Sequence, residues 1–191
     1  PVPTVADTWD GAGKLARGNW ELEGRGSKRV ILSRNYAYQG LHAFGTSVAG
    51  LEFNRDGYGT ESLVPETGRV SNSDIASVEA EILRIGPDNI AALILELVMG
   101  TGGVIPPSPG YLEGLQRLAA KHDILLIADE VITGFGRTGK MFACERYHFT
   151  PDMVLMAKGI TSGYLPLGGI LVAPRLWERF YDGADAPIYR H

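Results

Sequence analysis

The run Ile90-Ala91-Ala92-Leu93-Ile94-Leu95, closed by Glu96, constrains the fold more than any other feature of the chain. It is apolar at both parities, so as a strand it has no face to offer water and belongs in a sheet covered on both sides. Ile124 to Ala128, Met153 to Met156 and Gly169 to Ala173 are similar runs, and Arg29 to Leu32 is a further strand. Helical spacings alternate with them. Ile75, Val78, Ile82 and Ile85 mark a helix over Asp74 to Ile85, with Ser73 or Asp74 placed to cap it. Tyr111, Leu112, Leu115 and Leu118 mark another over Gly110 to His122. Gly11 to Glu23 reads as a helix weakened by Gly13 and Gly18, and the Gly-, Asn- and Asp-rich stretch from Gly50 to Ser73 as a long surface loop. The alternation predicts an α/β fold: a three-layer sandwich around a mostly parallel sheet.

The polar residues that end these runs carry the chemistry. Asp129 closes the Ile124 run, and Lys158 follows the Met153 run between small residues, Ala157 and Gly159. Ligands of open parallel sheets gather at the carboxyl ends of strands, which places this acid and this amine where a cofactor would sit. Pyridoxal phosphate needs both. An amine holds its aldehyde as a Schiff base, and a carboxylate keeps its ring nitrogen protonated so that the ring accepts electrons. An amine that acts in this way must shed its proton, which burial or bond formation provides, and it then serves as acid and base. Glu130, beside Asp129, is read as structural.

Other motifs do not carry a function. Gly134 to Lys140 nominally fits both a dinucleotide fingerprint and a P-loop, but Met141 stands where a P-loop needs Ser or Thr. No clean helix or acidic strand end follows at the dinucleotide spacing. Cys144 and His148 are too few for a zinc site. A net charge of −4 with 45% hydrophobic residues gives no electrostatic case for nucleic acid or an anionic membrane as a partner. The lone Cys144 excludes an internal disulfide, and with no signal peptide or long apolar span a soluble, reducing, cytoplasmic setting is expected.

Asp129 to Gly139 (DEVITGFGRTG), Ala157-Lys158-Gly159, and Gly163 to Gly169 (GYLPLGG) together resemble the class III (omega) aminotransferases. Those are fold-type I pyridoxal-phosphate enzymes. The resemblance is densest between Glu96 and Ala173, and it implies that residues 1–191 form a partial large domain without the small C-terminal domain. It implies a homodimer acting on a small-molecule amine and a keto acid or aldehyde. Lys158 is then the cofactor lysine and Asp129 the partner of the pyridinium nitrogen. Tyr38 stacks on one face of the ring and Val131 packs on the other, while Glu96 lies near the ring. Gln39 stands where the family usually has His, and Leu97 replaces a family Pro. The phosphate turn maps to Thr4 to Asp10, where Val5 and Ala6 replace the expected glycine and hydroxyl residue and Thr8 is the surviving hydroxyl donor. Racemisation or decarboxylation on the same cofactor, and a folded non-catalytic fragment, are the alternatives.

Overall fold

A computed structural model describes residues 4–58 and 63–181; residues 59–62 of the expected surface loop lie outside it. Six strands form one sheet: β1 (Val30–Arg34), β2 (Thr67–Val70), β3 (Ile90–Glu96), β4 (Leu125–Asp129), β5 (Met153–Met156) and β6 (Gly169–Val172), in the order β2-β1-β3-β4-β5-β6. The first five run parallel, and β6 is antiparallel to β5. The helices are α1 (Val5–Leu22), α2 (Ala43–Val48), α3 (Ile75–Ile85), α4 (Tyr111–His122), α5 (Ala143–Arg146) and α6 (Pro174–Trp177).

The unbroken apolar strands are explained by two cores. Leu93 and Leu95 of β3, with Leu126 and Ala128 of β4, pack under α3 and α4 against Val78, Ile82, Leu112 and Leu115. Ala92, Ile94, Leu125 and Ile127 point the other way, to Trp9, Ala12, Leu15, Ala16 and Trp20 of α1. Side chains alternate across a strand, so burying both parities requires a helix layer on each face. Each fully buried leucine or isoleucine contributes roughly 1.5–3 kcal/mol.

Two expectations are corrected here. The loop from Gly50 to Ser73 contains β2, an edge strand that pairs with β1 and is mostly half-buried. Helix α1 begins at Val5 instead of Gly11, because Thr4 and Asp7 form a capping box: the Thr4 side chain accepts from the Asp7 N–H, and the Asp7 carboxylate accepts from the Thr4 N–H. Gly13 has a packing role as well as a propensity cost. A Cβ there would stand 2.5 Å from the Phe44 ring of α2, so its absence lets the two helices close.

Asp74 is the cap of α3, accepting from the Ala76 and Ser77 N–H groups at 3.0 and 3.3 Å. Asp74→Ala is expected to lower stability by about 1 kcal/mol. The shift of the urea midpoint at constant slope is the measurement, and an unchanged midpoint would show that the cap contributes nothing.

Candidate active site

Strands β3 and β4 pair in register up to their last residues, which sets Glu96 beside Asp129 at the carboxyl ends. Both are buried, Asp129 with 3% of its surface exposed. Each carboxyl is held by two N–H donors. Asp129 Oδ1 accepts from the Val131 backbone at 3.0 Å and Oδ2 from the Trp9 indole Nε1 at 2.8 Å. Glu96 Oε1 accepts from the Tyr38 backbone at 3.2 Å and Oε2 from the Gly100 backbone at 2.8 Å. The buried Arg34 guanidinium donates to the Glu96 carbonyl.

Burial, followed by the neighbouring Glu96 charge, pushes Asp129 up to about 7, against the donors Val131 and Trp9 and the Lys158 charge. Burial likewise raises Glu96, opposed by its two backbone donors, Arg34 and Lys158. The paired carboxyls therefore form a site whose negative charge is costly until a cation faces it.

Lys158 supplies a cation from the next strand over. Strand β5 lies beside β4, Ala157 continues it in extended conformation, and Lys158 opens a 3-10 turn over Lys158–Ile160. Its backbone is left-handed, φ 42°, a conformation that costs a side-chain-bearing residue on the order of 1 kcal/mol and that clusters at functional sites. Its charge acts on both carboxyls. The side chain also lines a cavity of about 250 Å³ with Thr4 and Val5, at the start of α1, and with Thr161 and Leu165.

The other sequence-expected residues divide. Tyr38 and Val131 pack in the same core cluster as Trp9, and Tyr38 meets the Trp9 ring edge-on, with centroids 6.3 Å apart at 88°. Gln39 is fully buried, and neither end of its amide has a hydrogen-bond partner among the described residues. Thr8 does not stand as a phosphate donor. It lies inside α1, fully buried, and its hydroxyl donates to the Val5 carbonyl at 2.6 Å, because the helix starts at Val5 and not at Gly11. Glu130 is structural as read: fully buried, it accepts from the Thr133 hydroxyl and from the Ala143 and Cys144 N–H groups, which closes the glycine-rich loop onto α5. Sequence reasoning missed Trp9 and Arg34. Trp9 falls in the segment aligned with a phosphate turn, ahead of the helix expected from Gly11, and nothing in that pattern marks its N–H as a partner of Asp129.

The donor set fits pyridoxal phosphate at the ring end: an amine, a buried carboxyl raised by burial, and a tyrosine and a valine in the same core cluster. The phosphate end fits less well. At the start of α1 the Asp7 carboxylate already occupies the cap, and like charge there opposes an anion that a helix N-terminus would otherwise attract.

A mostly parallel sheet covered on both faces, with an amine and two carboxyls at the carboxyl ends of adjacent strands, defines the large domain of a fold-type I pyridoxal-phosphate enzyme. The chain belongs to the class III aminotransferases: that family's sequence profile, Aminotransferase class-III, matches residues 4–190. An omega-aminotransferase of Caulobacter vibrioides is 39% identical, over 96% of this chain and 45% of its own length. The diaminobutyrate–2-oxoglutarate transaminase of Halomonas elongata is 38% identical, over 89% of this chain and 40% of its own. The crystal structure of a thermostable (S)-enantioselective omega-transaminase from Thermomicrobium roseum superposes with a TM-score of 0.92 at 35% identity, covering all of this chain and 45% of that one. The chain thus spans less than half the length of the relatives it matches.

Proposed function

We propose that this chain is the cofactor-binding part of a pyridoxal-phosphate aminotransferase that moves an amino group from an amine or amino acid to a keto acid or aldehyde. The observation that carries the reading is the placement of Lys158 and Asp129 at the ends of adjacent strands β5 and β4, with the lysine's charge acting on a buried carboxyl. When bound, the cofactor supplies an aldehyde that takes up amines and a ring that accepts electrons. Asp129 would hold a proton on the ring nitrogen through its carboxylate, Tyr38 and Val131 would orient the ring from either side, and Glu96 would close the edge near it. Lys158 Nζ would anchor the cofactor and then move a proton between the substrate carbon that bears nitrogen and the cofactor.

The chain works in this reading as a homodimer in the cytoplasm. Leu41, Tyr164 and Leu165 are exposed apolar side chains, of which Leu165 lines the same cavity as Lys158, and apolar residues exposed in this way are what a second copy would cover. Among the described residues no helix is long and apolar enough to cross a membrane.

Titrating pyridoxal phosphate into the purified chain tests the function. The visible band of a lysine Schiff base should appear and, on borohydride reduction, disappear while the pyridoxyl group stays covalently attached; in an unreduced sample the band should fade on loading with an amine and return with a keto acid. Absorbance that an amine does not discharge would overturn transamination in favour of another reaction on the same cofactor. No absorbance at saturating cofactor would leave a folded, non-catalytic chain.

A further inference from the structure

Trp9 lies in the segment that maps to a phosphate turn, yet its side chain reaches the Asp129 carboxyl. The indole is 1% exposed, and its one polar atom, Nε1, donates to Asp129 Oδ2 at 2.8 Å across 120 positions of sequence. Its benzo edge is seated against the backbone of Gly40. A Cβ at that residue would stand 2.7 Å from Trp9 Cζ3, and Gly40 has φ +82°, which glycine adopts without cost. The ring is thus built into the core between α1, β4 and the turn after β1.

We propose that Trp9 is a positioning residue for Asp129: its indole N–H and the Val131 backbone N–H, one on each oxygen, fix the plane of the carboxyl at the end of β4. This rests on the function proposed above, in which that carboxylate must face a ring nitrogen. Two donors on two oxygens remove the rotation about the carboxyl bond that an isolated Asp would keep, and both donors favour its charged form. The groups that act on Asp129 from the other packed elements are Glu96 on β3, which opposes that form, and Lys158 after β5, which favours it. Helix α1 contributes the indole. The nearly perpendicular contact with Tyr38 separates this role from a competing one, since a ring lying in the cofactor's place between Tyr38 and Val131 would be parallel to Tyr38.

The experiment is a carbon-13 and nitrogen-15 NMR titration of the chain without added cofactor. Trp9→Phe removes the donor and keeps most of the bulk. It should raise the Asp129 midpoint by about one pH unit or more, since a charge-assisted hydrogen bond is worth at least that. The backbone amide spectrum should stay folded. If that variant fails to fold, the unsubstituted chain still decides the matter: the Trp9 indole N–H resonance should move with the same midpoint as the Asp129 carboxyl, and Asp129→Asn should abolish that movement. An indole resonance indifferent to pH, or an unmoved Asp129 midpoint in Trp9→Phe, would overturn the inference. So would tighter binding of pyridoxal phosphate by Trp9→Ala, which would put the indole in the ring's place. The titrations need no cofactor, so they decide the role of Trp9 separately from the absorbance experiment that decides the function.

Discussion

Lys158→Ala is expected to abolish covalent attachment of pyridoxal phosphate completely while leaving the chain folded. The side chain is exposed and lies outside both hydrophobic cores, so its truncation opens no cavity. Alanine also relieves little of the left-handed strain at this position, because any residue with a Cβ pays it. Removing the amine takes a cation away from the paired carboxyls, so Asp129 and Glu96 should both hold their protons to higher pH than in the parent. Borohydride reduction followed by peptide mapping is the measurement. A pyridoxyl group on Lys140 or another lysine, in the parent or in the variant, would remove Lys158 from its role.

The sheet was legible because its central strands are buried on both faces, and Ile90 to Leu95 could be nothing else at that length. Strand β2 was not legible for the complementary reason. It is an edge strand, Thr67-Gly68-Arg69-Val70, whose Arg69 guanidinium is spent on the carbonyls of Ala49 and Ser47, and only Val70 is buried. Edge strands need no apolar alternation. The start of α1 was written in the sequence as Thr4-x-x-Asp7, a capping pattern, but the same residues align with a phosphate turn and were read that way. Local hydrogen bonding decided between them: Asp7 closes on Thr4, and Thr8 turns inward to Val5.

At the site, strand ends are legible from the apolar runs that precede them, and the structure places Glu96 and Asp129 at the ends of β3 and β4 and Lys158 just after β5. Partners that come from the other layer are not legible in this way. Trp9 reaches Asp129 only because α1 crosses the sheet face, and Arg34 reaches the Glu96 carbonyl only because β1 neighbours β3. Both are relations of topology, which a one-dimensional pattern does not contain.

Asp129→Asn is expected to slow proton transfer in the first half-reaction by about a hundredfold or more, and to change stability in a pH-dependent way. A neutral amide no longer favours a protonated ring nitrogen, and losing the anionic partner of a buried charge costs several kcal/mol, of which each 1.4 kcal/mol in a barrier is about tenfold in rate. The amide also has a single acceptor oxygen for the two donors that now share the carboxylate, Trp9 Nε1 and the Val131 N–H. One donor is left unpaired in a dry site, at about 1–3 kcal/mol. The pH dependence follows from the raised value of Asp129, about 7 in the folded chain. A folded state that keeps a proton the unfolded chain releases near pH 4 loses stability as pH rises from there through about 7. The parent should therefore be more stable at pH 5 than at pH 8, with Glu96 adding to the same slope, and the Asn variant should show a shallower dependence. Single-turnover kinetics together with unfolding at the two pH values check both halves. A rate unchanged by the substitution would show that Asp129 does not face the ring nitrogen. An unchanged slope would show that its carboxyl titrates as it does in the unfolded chain, and that the burial at the end of β4 does not perturb it.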